Sequence, residues 1–375
     1  MIYNRKIGIL GAGQLGLMMV QACSDWHLQP EFLDPDPNAS AKPYAKVELG
    51  NFRDYESVMK FGADKDLISF EIEDVNLQAL KDLEKMGKKV FPQPRVLEII
   101  KNKWTQKQFL KENEFPTSDF IQFDSQNPES VQFFLPAFWK QNEGGYDGKG
   151  VSSVITITDL EKLPSIPGFL EKAVEIEKEI AVIVARNEKG QIQTFPCVEM
   201  VFHPEANLVE YLQSPATISE NVDVICKNLA IKLIEKLEMV GLLAVEFFLD
   251  QNGKVLVNEM APRPHNSGHH TIEGNVCSQF QQFWRSILNF PLSETQNIHP
   301  FSAMINLIGE PDFEGAPVYQ GLEDCLSISG IYPHMYGKQQ TRPFRKMGHV
   351  TVVANSLADL QQKVSFVKNH LKVIA

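Results

Sequence analysis

Short apolar runs alternate with amphipathic stretches along the N-terminal quarter of the chain. Residues 6–10 predict a buried strand, and Gly11-Ala12-Gly13-Gln14-Leu15-Gly16 opens a helix running to about Ser24. Residues 31–33 predict a second strand, ending in Asp34. A helix over 54–61, a strand over 67–73 and a helix from Asn76 follow. The last of these carries Leu77, Leu80, Leu83 and Met86 on one face, with Gly87 as its stop. With a fourth strand over 88–91, the alternation predicts a doubly wound, Rossmann-like α/β domain over residues 1–95. Residues 94–113 read as one helix, with Lys101, Lys103 and Lys107 on a solvated face.

From about Phe115 the pattern changes to hairpins, an α+β arrangement. Strands are expected over 118–123, 136–140, 151–156, 169–174 and 179–184, the last turning back over Asn187-Glu188-Lys189-Gly190. A long helix over 219–240 sets Ile225, Leu229, Leu233 and Leu237 toward the core and stops at Gly241. A helix over 278–288, a strand over 302–307, a basic turn over 338–346, a strand over 349–353 and a helix from Leu357 complete the chain. The divisions expected are 1–95, 96–178 and 179–375.

Asn252-Gly253 lies between two apolar runs and predicts a two-residue hairpin turn. Gln251 then faces Lys254, and Glu246 falls directly opposite Glu259; a longer turn makes them diagonal neighbours on one face. Like charges opposed on a sheet repel, so a cation is expected between them. Two carboxylates with phosphate oxygens completing the shell is how magnesium is held for nucleotide chemistry. The alternative is a glutamate facing solvent or paired with a lysine. Against it, Arg263, His265 and Asn266 follow at once in a proline-broken segment that cannot be regular strand or helix. His265, His269 and His270 invite a zinc reading, but no cysteine is near and Pro and Gly break the spacing. The metal is therefore expected on the glutamates, and His269 and His270 read as structural.

Two glycine-rich stretches bear on phosphate. Gly11 to Gly16, with Asp34 placed 18 residues beyond Gly16, matches a dinucleotide fingerprint. The other reading is a turn that cradles a different phosphate, or none, at a helix N-terminus. The glycines over 144–150, with Lys149 among them, make either a mobile loop whose amides lie over a polyphosphate or an ordinary hairpin tip. Glu71 and Glu73 stand at a strand's C-terminal end, where such sheets bind ligands, or are simply solvated there. The net charge of -11 over 375 residues opposes binding to nucleic acid or an acidic membrane, so an anionic ligand must be met by local clusters such as Arg342, Arg345 and Lys346. Five scattered cysteines, none in Cys-x-x-Cys spacing, predict a reduced, cytoplasmic protein. No apolar stretch approaches the ~20 residues a membrane span needs.

Six motifs together carry a resemblance: Gly11 to Gly16, Phe70-Glu71-Ile72-Glu73, Thr105-Gln106-Lys107, Gly144 to Gly150, Glu259 to His269, and Arg345-Lys346-Met347-Gly348-His349. Over nearly its whole length the chain resembles the ATP-grasp ligases, and among them the 5-(carboxyamino)imidazole ribonucleotide synthase family of purine biosynthesis. The resemblance implies an ATP-grasp fold, with ATP clamped between a small lid domain and the larger C-terminal portion. It puts Lys103 and Lys140 on the phosphates, Glu171 and Ala173 at the adenine edge, Glu179 on the ribose, Gly145, Gly148 and Asn258 along the nucleotide, and Glu246 and Glu259 on two magnesium ions. Gln14, Glu73, Tyr146, His265, Asn266 and Arg345 would line the pocket for bicarbonate and aminoimidazole ribonucleotide. Arg263 and Lys346 would hold the carboxy group, and Asp147 would accept the amine proton. The resemblance further implies a homodimer and a functional link to the mutase that consumes the product. Relatives commonly carry an Arg two residues after the lysine matched by Lys140, and a Gln after the last loop glycine; Asn142 and Val151 stand here. Other ATP-grasp ligases, of the formate-dependent glycinamide ribonucleotide transformylase or biotin carboxylase type, and an NAD-dependent oxidoreductase are the alternative readings.

Overall fold

The computed structural model describes residues 5–123, 128–144, 150–202 and 209–375. Gly145, Tyr146, Asp147, Gly148 and Lys149 lie outside the described residues. A five-stranded parallel sheet comes first, in the spatial order Val47–Leu49, Glu31–Asp34, Ile7–Leu10, Leu67–Phe70, Lys89–Val90. Its central strands are buried on both faces, as apolar runs in a parallel sheet must be. Tyr55–Gly62 and Leu77–Lys85 form the helices expected there, capped by the side chains of Asp54 and Asn76.

The predicted single helix after Pro94 is two. Asn102 leaves helical geometry at φ -104, ψ 116, ends Pro94–Lys101, and caps Lys103–Glu112 by accepting from the amides of Trp104 and Thr105. The break re-aims the second helix, and its lysines do not form a solvated face: Lys107 is 3% exposed.

A four-stranded antiparallel sheet follows, in the order Phe120–Gln122, Gly168–Lys172, Ala137–Gln141, Val151–Val154. The largest sheet has nine strands in antiparallel pairing and includes Ile176–Arg186, Gly241–Asp250 and Val255–Ala261 on one side, with Phe301–Ile308 and Lys346–Ala354 on the other. Helix Glu220–Lys236 packs against this sheet. Val222, Cys226, Ala230, Leu233 and Ile234 are its buried positions, so the stripe is turned from the predicted one, and Ile225 and Leu229 are only partly covered. Trp284, on helix Gln279–Ile287, is fully buried and donates its indole N–H to the Met19 carbonyl at 2.8 Å. That contact seats the N-terminal helix Gln14–Cys23 against the large sheet's partner helix in one shared core.

Candidate active site

The hairpin turn is longer than predicted. Asp250 and Lys254 close it around Gln251, Asn252 and Gly253, with the Asp250 carboxylate accepting from the amides of Asn252 and Lys254 at 2.9 and 2.8 Å and Gly253 at φ +79. By itself this register would set Glu246 opposite Asn258 and put Glu259 on the other face of the sheet. A bulge lies between Phe247↔Val257 and Glu246↔Glu259, inserts Asn258, and restores direct opposition. Asn258 and Glu259 then both meet lysines: Asn258 Oδ1 accepts from Lys140 Nζ at 3.1 Å, and Glu259 pairs with Lys103.

The lysines arrive from two directions. Lys103 comes from the helix after Asn102, and Lys140 from the small sheet. Lys140 Nζ also lies 2.6 Å from Glu171 Oε2, while Lys107 Nζ lies 2.7 Å from Glu171 Oε1 and reaches Thr117 Oγ1 at 2.7 Å and Ser118 Oγ at 3.0 Å. Burial alone would raise the pKa of Glu171; Lys140 and Lys107 hold it down instead, to about 2. Gln106 ties this helix to the hairpin, accepting from the Met260 amide at 2.8 Å. Val257 N donates to the Pro116 carbonyl at 2.7 Å, joining the entrance of the small sheet to the same strand.

The two opposed glutamates differ electrostatically. Glu246 is pushed up to about 8 by burial, with Glu259 and Glu179 adding repulsion. Glu259 is likewise disfavoured by burial, but Lys103 and Lys140 hold it below the usual carboxylate range. Glu179, on the neighbouring strand, is pushed up to about 7 by burial. Among the described residues no three His, Cys, Asp or Glu side chains converge as a metal site. Glu246 and Glu259 fit a magnesium ion whose remaining ligands are phosphate oxygens, because their mutual repulsion is a deficit of positive charge at that point.

Beyond Ala261 the chain leaves the sheet. Arg263 Nε sits 2.8 Å from Glu73 Oε1. His265 is locked at its backbone by Gln279, whose Oε1 accepts its N–H at 2.8 Å and whose Nε2 donates to its carbonyl at 2.7 Å. The Ser267 amide donates to His265 Nδ1 at 3.3 Å, so the ring proton belongs on Nε2, which faces Glu246 Oε1 at 3.6 Å. Burial first, then Arg263 and Lys346, keep this imidazole neutral, pushed down to about 3. Both polar atoms of the Asn266 amide are buried without a partner among the described residues, the pattern of a side chain that awaits a ligand.

Gln14, the first residue of its helix, accepts from Lys338 Nζ at 3.0 Å, and Lys338 also donates to the Lys346 carbonyl at 2.5 Å. The structure therefore gathers Lys103, Lys140, Glu171, Asn258, Glu246, Glu259 and Glu179 in one cluster, and Glu73, Arg263, His265, Asn266, Gln14 and Lys346 beside it. Ala173, two residues beyond Glu171, donates its N–H to the Pro136 carbonyl at 3.2 Å rather than to the cluster. Arg345 stays in its own turn, donating to the Gln340 carbonyl at 2.7 Å. His269 and His270 are fully buried. Sequence reasoning missed Lys107 as a buried partner of Glu171. The signal was its spacing, one helical turn after Lys103 and so on the same face.

The dinucleotide expectation fails on geometry. Glu71 accepts from the amides of Gly13 at 2.5 Å and Gly16 at 2.6 Å, and Asp34 Oδ2 accepts from the Ala12 amide at 2.7 Å. Both the pyrophosphate position and the ribose-directed acid are used by the protein itself.

Two antiparallel sheets meeting over opposed glutamates, with a parallel domain docked alongside, form an ATP-grasp enzyme. Family models agree: an ATP-grasp domain over residues 108–280, a ribonucleotide synthetase preATP-grasp domain over 4–101, and a phosphoribosylaminoimidazole carboxylase C-terminal domain over 302–363. The N5-carboxyaminoimidazole ribonucleotide synthetase of Thermotoga maritima superposes with a TM-score of 0.92 at 40% identity, covering 99% of each chain. The Aspergillus clavatus N5-carboxyaminoimidazole synthase, solved with ADP and 5-aminoimidazole ribonucleotide, gives 0.89 at 30% identity over 98% of this chain and 99% of that one. The Bacillus subtilis N5-carboxyaminoimidazole ribonucleotide synthase is 33% identical over 92% of this chain and 90% of its own length. The chain belongs to the N5-carboxyaminoimidazole ribonucleotide synthase family of ATP-dependent ligases. It spans about two thirds of the length of the plant and fungal phosphoribosylaminoimidazole carboxylases it also matches. Among the described residues no helix is long and apolar enough to cross a membrane.

Proposed function

We propose that this chain uses ATP to carboxylate 5-aminoimidazole ribonucleotide with bicarbonate, giving N5-carboxyaminoimidazole ribonucleotide, ADP and phosphate in purine biosynthesis. The observation that carries this reading is the direct opposition of Glu246 and Glu259 beneath Lys103 and Lys140, with Arg263, His265 and Asn266 following in the same segment. Lys103 and Lys140, held by carboxylates in the ligand-free protein, exchange those partners for phosphate oxygens when ATP arrives. Glu171 and Ala173 then border the adenine, Glu179 the ribose and Asn258 the phosphates. Two magnesium ions on Glu246 and Glu259 would neutralise the charge that develops on the γ-phosphoryl group.

Bicarbonate is a poor electrophile. One of its oxygens attacks the γ-phosphorus, the bond to the β-bridging oxygen breaks, and carboxyphosphate and ADP result. The exocyclic amine of the ribonucleotide then attacks the carboxy carbon, phosphate leaves with the carbon–oxygen bond pair, and the amine proton passes to Asp147. Arg263 and Lys346 hold the anionic carboxy group, while Gln14, Glu73, Tyr146, His265 and Asn266 hold the acceptor; Arg345 would have to leave the Gln340 carbonyl to join them. The family likeness puts Gly145 and Gly148, which lie outside the described residues, along the nucleotide, where water must be kept from the intermediate. On this reading residues 1–95 supply one acceptor wall, 96–178 the lid, and 179–375 the carboxylates. The five cysteines, all buried as free thiols, support a reducing compartment such as the cytoplasm. The homodimer and the functional link to the downstream mutase rest on the family likeness alone.

The test is phosphate release from ATP with magnesium, bicarbonate and aminoimidazole ribonucleotide, each omitted in turn. Release that needs the ribonucleotide for its full rate is expected; NADH binding without ATP turnover would overturn the reading.

A further inference from the structure

The ligase reading places Gln14, in the Gly11 to Gly16 loop, at the acceptor but leaves unexplained what holds that loop. We propose that Glu71 is a positioning residue for the acceptor: its carboxylate takes the place of a dinucleotide pyrophosphate at the helix N-terminus and thereby fixes the loop that presents Gln14 to the acceptor pocket. The identity of the acceptor rests on the reading above; the setting of the loop does not.

Both Glu71 oxygens are committed, one to the Gly13 amide and one to the Gly16 amide, in a residue that is 8% exposed. Glu71 therefore acts through the loop rather than on a substrate. Gly11 and Gly13 leave room for its approach. A Cβ on Gly11, at φ +91, would lie 2.6 Å from Glu71 Cγ, and one on Gly13 would lie 2.9 Å from Glu71 Oε1. A carboxylate at a helix N-terminus gains from the unpaired amides and the dipole as a phosphate would. Gln14 follows Gly13 directly, and its Oε1 meets Lys338, which also binds the Lys346 carbonyl. Glu73, two residues beyond Glu71, pairs with Arg263. One short segment thus sets both walls of the acceptor side.

Glu71→Gln tests this. A neutral amide can accept from one glycine N–H but sets its own NH2 against the other, so the loop loosens. Expected are a KM for aminoimidazole ribonucleotide raised roughly tenfold, about the size of one lost charge-assisted hydrogen bond, with the KM for ATP essentially unchanged. Amide exchange at Gly13 and Gly16 should quicken. Gly13→Ala should produce the same phenotype in the wild-type background and none in a Glu71→Ala background, where the clashing carboxylate is gone. Parallel rises in both KM values with a lowered melting temperature would mark Glu71 as merely structural and overturn the proposal. So would unchanged exchange, or a Gly13→Ala effect that persists without Glu71. If the wild-type protein shows no ribonucleotide-stimulated phosphate release, the functional reading fails, while exchange and the Gly13 coupling still decide what sets the loop.

Discussion

Lowering the pH should weaken magnesium–ATP binding through one identifiable group. Glu246 is buried beside Glu259 and Glu179 and is pushed up to about 8, so at neutral pH the ligand-free protein holds a proton there. A magnesium ion needs the carboxylate, and binding must expel that proton. The sign follows: the competent, ionised form is half populated near pH 8, prevails above it and is depleted as pH falls. Each pH unit below 8 costs about 1.4 kcal/mol, or roughly tenfold in affinity. At pH 7 about nine-tenths of a proton should be released per nucleotide bound from this group alone. Glu179, pushed up to about 7, adds to the release if the ribose takes the ionised carboxylate. Titration calorimetry in two buffers of different ionisation enthalpy measures both quantities. Glu246→Gln should abolish most of the proton release. A flat affinity between pH 6 and 8 with no buffer dependence would refute the electrostatic account of the opposed glutamates.

Glu259→Gln should abolish turnover at ordinary magnesium while leaving the fold intact by circular dichroism; unchanged activity would remove Glu259 from the metal site. Lys107→Met strips one cation from a carboxylate that is 3% exposed. It should cost roughly 1–3 kcal/mol of unfolding free energy in a denaturant titration, because Lys140 stays on Glu171 while Thr117 and Ser118 lose their donor; an unchanged unfolding midpoint would contradict this. His265, pushed down to about 3, should show the neutral Nε2–H tautomer by nitrogen NMR down to pH 5; protonation near 6.5 would contradict its burial. Asn266→Ala should raise the KM for the acceptor roughly tenfold, since the buried amide has no partner among the described residues and is free to bond the acceptor; an unchanged KM would return it to the scaffold.

Element types were legible wherever periodicity was strong. The parallel domain and the Glu246/Glu259 hairpin followed from period-two and helical patterns because one face of each is buried against a large core. What escaped were effects carried by single residues in space. Asn102 splits a helix because its side chain offers the next turn a better cap than the continuing helix would provide. The bulge at Asn258 cancels the longer turn at Asp250, so the correct opposition of the glutamates emerged from a turn prediction that was itself wrong. Lys107 looked solvated because periodicity cannot see Glu171 arriving from a strand far along the chain. The fingerprint at Gly11 left its anion open, dinucleotide or otherwise: spacing alone reports amides at a helix N-terminus, and only the fold reveals that Glu71 accepts from them.

The central claim is that ATP phosphorylates bicarbonate before nitrogen attacks it. Turnover with oxygen-18-labelled bicarbonate, in the presence of magnesium, ATP and aminoimidazole ribonucleotide, tests it most directly. The account predicts one labelled oxygen in each phosphate released, carried there by the bicarbonate oxygen that attacked the γ-phosphorus. Phosphate free of label, with label confined to the carboxylated product, would contradict it.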